Sequence, residues 1–240
     1  MQGYIKKIEE LHTEILGNVL GIHFLGCNLN CPFCPKYEER VFDEIYLRDF
    51  SDIKRVISQT NNNKVLIYGG EPLLQADLIL EIFRNYRMSR EIWILTNLSK
   101  IENLKILLEN DVKNFIISWW SSDNLLFNRL TNTRSFFSNE KIVLYDIFYS
   151  LHLLKKYNII PYFKFTLLPG IFYTKDQIVN ELEFISNFGF YPFVILTPFN
   201  PSISRGRYKL LNSLSSEYLS NLTENLSNLG YRAIVDPSLF

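Results

Sequence analysis

The sequence predicts an α/β fold: a partial barrel of six βα units, (β/α)6, with a short helix-strand extension at its carboxyl end. Three observations predict it. Six short apolar, β-branched or aromatic runs recur along the chain, and most are followed by stretches with apolar residues three and four apart, the mark of a helix buried on one face. Strands alternating with such helices form parallel βαβ units. The polar and cysteine clusters also fall just after the runs, where ligand sites of parallel α/β sheets lie.

Taken in order, the strands are expected at Val19-Leu25, Lys64-Tyr68, Glu91-Leu95, Asn114-Trp119, Ile159-Leu167 and Phe193-Leu196. A helix carrying Ile53, Val56 and Ile57 follows the first, and one carrying Leu78, Ile79, Ile82 and Phe83 follows the second. Further helices are expected at Leu104-Leu108, Ile147-Leu154 and Ile178-Phe188. The last two end at Lys155-Asn158 and Asn187-Gly189, where basic residues, Asn and Gly suit a helix carboxyl terminus. His12 and His152 read as members of helical stretches, and Asn61-Asn63 as a loop. Beyond Pro201, the residues Ser202, Ser204, Arg205, Gly206 and Arg207 read as a loop. A helix over Ser215-Leu229 and a strand over Tyr231-Val235 are expected to cover an edge or mouth of the sheet. Six units with right-handed crossovers curl into a partial barrel and stop short of the eight that close one.

With 240 residues, the expectation is one domain over 1–240, its core at about 19–198 and its extension at about 199–240. The chain is 47% hydrophobic and 21% charged, close to average globular usage. Its 25 basic and 25 acidic side chains cancel, so the bulk charge gives no reason to expect a nucleic-acid partner. Met1-Leu20 scatters Lys6, Lys7, Glu9, Glu10 and Glu14 among apolar residues, unlike a signal peptide. No run approaches the ~18 apolar residues of a membrane span. A cytoplasmic protein without a membrane partner is expected.

Only three cysteines occur, Cys27, Cys31 and Cys34, within Gly26-Cys27-Asn28-Leu29-Asn30-Cys31-Pro32-Phe33-Cys34-Pro35. An odd number packed this closely makes no disulfide framework. Thiolates so crowded repel one another unless a cation neutralises them, which argues for a metal centre. A [4Fe-4S] cluster normally takes four thiolates, so three would leave one iron to another ligand. The alternative is zinc with His23 as fourth ligand. Against it, His23 alternates with Ile22 and Phe24 inside a strand, and no second ligand pair follows downstream.

The Cys-x3-Cys-x2-Cys loop directly after the first strand resembles the defining motif of the radical S-adenosylmethionine (SAM) superfamily. The resemblance covers roughly Val19 to Pro198 and implies a [4Fe-4S] cluster on Cys27, Cys31 and Cys34, with SAM chelating the fourth iron through its amino and carboxylate groups. It further implies reductive cleavage of SAM to methionine and a 5'-deoxyadenosyl radical that abstracts hydrogen from a substrate. Phe33, before the third cysteine, would pack near the adenine or shield the cluster. Gly69-Gly70-Glu71-Pro72, after the second strand, resembles the segment that binds the SAM amino group through backbone carbonyls and its acidic side chain. Glycine permits close backbone approach, and Glu71 supplies an anion for an ammonium. Thr96, Asn97 and Ser118, at the ends of the third and fourth strands, match positions that contact the SAM carboxylate and ribose. Leu167-Leu168-Pro169-Gly170 and Leu196-Thr197-Pro198 resemble the backbone lining the adenine pocket.

The compact size and these Leu-Pro-Gly and Leu-Thr-Pro strand ends resemble the glycyl-radical-enzyme activases, which act on a backbone glycine of a partner enzyme. One departure stands out: Ser118-Trp119-Trp120 replaces the Asp-x-Lys segment of the pyruvate formate-lyase activases, so the ribose contact of that Lys has no counterpart. The competing implications are a small molecule, a nucleoside precursor or a peptide as substrate, and, from another class, a noncatalytic zinc-binding interaction protein. A reductant such as flavodoxin or ferredoxin is the implied electron donor. Trp119, Trp120 and Ser121-Ser122-Asp123 leave the fourth strand toward the substrate, with core packing expected for at least one Trp. Arg129, Arg134, Arg205 and Arg207 are cations able to hold a carboxylate or phosphate, although surface arginines seldom do.

Overall fold

A computed structural model describes residues 2–34, 46–132, 144–203 and 210–239. The amino-terminal strand β1 (Gln2–Thr13) folds back on β2 (Gly17–Phe24) as an antiparallel hairpin, and β3 (Leu47–Asp49) pairs with its outer edge. From β2 onward the sheet is parallel, through β4 (Lys64–Gly69), β5 (Glu91–Thr96), β6 (Asn114–Trp119), β7 (Tyr162–Leu167), β8 (Phe193–Pro198) and β9 (Arg232–Val235). The strand order is β3-β1-β2-β4-β5-β6-β7-β8-β9, an open sheet with β3 and β9 at its edges. All six expected parallel strands are present, and the carboxyl-terminal strand joins them as a seventh.

Besides the short edge strand β3, two elements differ from the sequence reading. His12 lies in β1, not in a helix, and its Nδ1 is 2.8 Å from Asn18 Oδ1 across the hairpin. Ile5, Ile8 and Leu11 have helix-like spacing because a bulge between Ile5 and Lys7 resets the alternation of the strand. With the bulge, Ile5 and Ile8 both join the helix-side core, while Leu11 joins the concave side. The second difference is α4 (Asn124–Thr131), a short helix set off by Asp123, whose carboxylate accepts from the Leu126 amide at 2.7 Å.

The helices α1 (Phe50–Gln59), α2 (Ala76–Tyr86), α3 (Ile101–Glu109), α5 (Leu144–Lys156) and α6 (Lys175–Asn187) bury the expected faces. In α2 these are Leu78, Ile79 and Ile82. Thr174 and Gln177 form a capping box at the start of α6. The turns after α5 and α6 place Asn158 (φ 56°) and Gly189 (φ 81°) in the left-handed region, as the sequence suggested.

Because side chains alternate along each strand, the sheet divides the core in two. One face packs against helices through Ile22, Phe24, Ile67, Ile94, Ile117, Phe163 and Phe165. The concave face carries Val19, Leu66, Tyr68, Ile116 and Ile195, joined by Leu16 and Leu239. Toward the carboxyl ends of the strands this inner face turns polar, with Ser118, Lys164, Thr166 and Thr197. The extension, α7 (Ser216–Asn228) plus β9, completes the far edge. Buried Asp236 then ties that edge back to the hairpin, donating its amide to Leu196 O (3.0 Å) and accepting the Ile15 amide (3.4 Å). The extension thus covers an edge and seals the amino-terminal end of the barrel with Leu239.

Ile5 is 1% exposed although it lies in a terminal strand. Ile5→Ala is expected to lower stability by about 2–5 kcal/mol in denaturant unfolding, as for any core truncation. A cost near zero would mean that β1 is peripheral to the core.

Candidate active site

The cysteine loop leaves β2 at Phe24 and turns at Gly26 (φ 86°). Four contacts hold it: the Leu25 amide donates to Tyr4 O (2.9 Å), the Asn30 amide to Thr131 O (3.0 Å) and the Cys34 amide to Cys31 O (3.1 Å), and Asn28 Nδ2 donates to Ser99 Oγ (2.8 Å). Cys31 is buried, and Cys27 and Cys34 are half-buried. The Leu29 amide donates to Cys27 Sγ at 3.4 Å. Pro35, the last residue of the motif, lies outside the described residues, as do Arg134, Ser204, Arg205, Gly206 and Arg207.

Gly69 and Gly70 end β4 against the root of this loop. The Gly70 amide donates to Phe24 O (2.9 Å) and the Glu71 amide to Gly26 O (2.7 Å). A Cβ on Gly70 would lie 2.0 Å from Gly26 O, and one on Gly69 (φ 120°) 2.3 Å from Phe24 O. Only glycine fits both positions, so the pair serves loop-on-loop contact as well as approach to a ligand.

Glu71 is fully buried. Its carboxylate accepts from the Thr96 hydroxyl (2.5 Å), the Leu73 amide (3.0 Å) and the Asn97 amide (2.8 Å). Buried Pro72 opens the short 3-10 turn that this carboxylate caps. Burial pushes the Glu71 carboxyl up to about 7, against the pull of its hydrogen-bond donors. Asn97 carries the chain of contacts onward: its Nδ2 donates to Asn28 Oδ1 (3.3 Å), and its Oδ1 accepts the Ser99 amide (2.9 Å). Between them sits buried Leu98 at φ 61°, a strained setting for leucine, with its carbonyl accepting from Ser150 Oγ at 2.9 Å.

One cavity gathers these parts, with about 740 Å³ of space, some of it open to solvent. Cys27, Cys31, Cys34 and Phe33 line it, together with Gly69, Gly70, Glu71, Thr96, Asn97 and Ser118. All the expected site residues except Pro72 therefore face one space at the carboxyl ends of β2, β4, β5 and β6. Trp120, Lys164 and Thr166 complete the opposite wall. Phe33 and Trp120 rings meet at 5.3 Å. The neighbouring Trp119 points the other way into the core, where its Nε1 donates to Glu181 at 2.9 Å. Ser121 Oγ (2.8 Å) and the Ser122 amide (2.6 Å) donate to the same carboxylate, while Asp123 caps α4. Residues 167–170 and 196–198 do not line this cavity. Arg129 is exposed. The cation that does reach the cavity, Lys164, looks in sequence like one more residue of an apolar strand. The signal that could have found it is the strict alternation of Tyr162–Leu167, which sets Lys164 on the face opposite Phe163 and Phe165.

His23, the imidazole that a zinc site would need, packs against Tyr68 at 4.8 Å and does not line the cavity. Among the described residues no three His, Cys, Asp or Glu side chains are already drawn together as a metal site. The three thiols must turn toward one another from the wall they share. Three sulfur donors on one loop, with ligand space in front of them, fit a cluster bound by three thiolates.

Two expectations follow from the buried carboxyl and the close-packed glycines. The folded chain holds the Glu71 proton more tightly than an unfolded chain near 4.5 would. Its contribution is full below about pH 4.5 and is lost as pH rises to about 7, by about 3 kcal/mol. Glu71→Gln has no proton to lose and should flatten this part of the stability-pH profile in denaturant unfolding; an unaltered profile would contradict the assignment. Gly70→Ala should displace the cysteine loop and lower the midpoint of thermal unfolding.

The profile of the Radical SAM superfamily matches residues 22–185. Over 121 residues the chain is 30% identical to a probable GTP 3',8-cyclase from Methanopyrus kandleri, covering 50% of this chain and 38% of that protein. Over 142 residues it is 31% identical to 7-carboxy-7-deazaguanine synthase from Clostridium acetobutylicum, covering 56% of this chain and 62% of that protein. The chain thus matches less than two thirds of either relative's length. A domain of pyruvate-formate lyase-activating enzyme from Bacteroides vulgatus shares the fold, with a TM-score of 0.54 at 19% identity over 71% of this chain and 97% of that one. With the family profile spanning most of the chain, and its cysteine motif on the cavity wall, the protein belongs to the radical SAM superfamily.

Proposed function

We propose that this chain is a radical SAM enzyme that holds one [4Fe-4S] cluster on Cys27, Cys31 and Cys34 and binds SAM in the adjoining cavity to abstract hydrogen from a small-molecule substrate. The observation that carries the reading is the convergence of the three thiols and the Gly69-Gly70-Glu71 loop on one cavity at the carboxyl ends of the parallel strands. Bound together, cluster and SAM supply one-electron cleavage of a carbon-sulfur bond and hydrogen-abstracting radical chemistry. The chain's own part is to bind, orient and exclude water. The backbone of Gly69 and Gly70 takes the SAM ammonium. Glu71 and Pro72 brace that backbone from behind. Thr96, Asn97 and Ser118 provide polar groups for the carboxylate and ribose, and Phe33, backed by Trp120, gives the adenine an apolar surface. A flavodoxin or ferredoxin is the proposed reductant.

A small molecule is favoured over a partner-protein glycine for two reasons. The relatives are named for a GTP cyclisation and for synthesis of a carboxydeazaguanine. Where an activase would carry the Asp and Lys of its charged segment, this chain has Ser118 and Trp120, neither of them charged, on the cavity wall. The likeness to the activating-enzyme domain supports the fold they share. Among the described residues no helix is long and apolar enough to cross a membrane; a cytoplasmic setting is part of the proposal.

Anaerobic reconstitution should load about four irons per chain, and dithionite with SAM should then release 5'-deoxyadenosine. Cys27→Ala, Cys31→Ala and Cys34→Ala should each abolish that release. Stoichiometric zinc without iron, or full release from any of the three variants, would overturn the reading.

A further inference from the structure

We infer that Asn28 and Ser99 are positioning residues for SAM. With Asn97 they close a ring of hydrogen bonds that ties the cysteine loop to the loop after β5 and leaves the Asn97 side chain only a donor to offer the cavity. This rests on the radical SAM reading above and adds to it two residues that do not line the cavity.

The ring begins in a strained turn. Leu98, buried at φ 61°, holds a left-handed conformation that a leucine seldom adopts, and the Ser150 hydroxyl on α5 donates to its carbonyl at 2.9 Å. Across this turn the Ser99 amide, at 2.9 Å, and the Ser99 hydroxyl both donate to Asn97 Oδ1. A backbone amide can only donate, so the atom it meets is the Asn97 oxygen, and this fixes which way the side-chain amide faces. The other directions follow. Asn97 Nδ2 donates to Asn28 Oδ1 (3.3 Å), and Asn28 Nδ2 donates to Ser99 Oγ (2.8 Å), which passes its own hydrogen to Asn97 Oδ1. All three side chains are buried.

The ring fills both lone pairs of Asn97 Oδ1 and uses one of the two hydrogens on Nδ2. The Asn97 main-chain amide is meanwhile taken by Glu71 (2.8 Å). Asn97 lines the cavity, so what its side chain can offer SAM is the second N–H, which suits an acceptor such as the SAM carboxylate or a ribose oxygen. Asn28 directly follows Cys27, and the same ring therefore sets the cysteine loop relative to that donor. A donor and a cluster loop held in place before SAM arrives spare binding the entropy cost of ordering them.

The test measures SAM affinity by equilibrium dialysis on iron-reconstituted protein, with iron counted per chain and the thermal unfolding midpoint recorded for each variant. Ser99→Ala and Asn28→Ala should each weaken SAM binding by about threefold or more, as the loss of a modest hydrogen bond does. The double variant should bind no more weakly than the weaker single one, because either change opens the ring. Asn97→Asp keeps an acceptor for Ser99 but removes the donor, and should weaken binding by about tenfold or more. SAM affinity within about twofold of wild type in fully loaded Ser99→Ala overturns the inference even if the unfolding midpoint falls, since the role would then be structural only. Losses that add in the double variant overturn it too, as does Asn97→Asp binding SAM as well as wild type. If Asn28→Ala does not load iron, Ser99→Ala and Asn97→Asp decide the matter. Wild-type protein that never loads iron, or loads it without binding SAM, overturns the radical SAM reading itself, and the inference with it.

Discussion

The mouth of this barrel depends on one buried carboxylate. Glu71 receives donors from the loops after β4 and β5, and the second of these, through Asn97 and Ser99, holds Asn28 of the cysteine loop. Three loops that share no local sequence are thereby fixed against one another. A carboxylate out of water is costly to bury, and three donors repay part of that cost. Its raised proton affinity is the residue of an incomplete repayment. The glycines add the second condition, because neither Gly69 nor Gly70 can carry a Cβ without pushing the cysteine loop off its seat.

The rest of the fold works as a scaffold for that junction. The apolar floor of the barrel, with Leu239 pressed among Leu16, Val19, Leu66, Ile116 and Ile195, keeps the strands curled while leaving the carboxyl ends open. Above the floor the same luminal faces become polar, so one sheet surface serves as core at one end and as site at the other. Trp119 and Trp120 show how sharply this is divided. Consecutive on one strand end, they point to opposite sides, one braced by Glu181 in the core and the other set against Phe33 on the cavity wall. The cavity has thiols on one wall and Ser118, Trp120, Lys164 and Thr166 on the other.

Much of this was legible in the amino-acid sequence. The six parallel strands, the helices on one face and the position of the Cys and Gly-Gly-Glu segments after their strands follow from local periodicity and spacing, and each has its counterpart in the structure. Strand β1 was hidden because its bulge gave Ile5, Ile8 and Leu11 the spacing of a helix. Glu71 was legible as an anion beside a ligand site but not as a brace, since its donors at Thr96 and Asn97 come from the next βα unit.

The sequence by itself determined the donor set, three thiolates in eight positions with no fourth cysteine, and the fold class that puts them at a strand end. Spacing within a loop and periodicity within an element are local properties, readable from neighbours in the chain. Only the tertiary structure decided which distant side chains share the cavity. Ser118, Lys164 and Thr166 meet because of the register of two strands and the curl of the sheet. Register is set by packing across the whole core, and no short stretch of sequence encodes it.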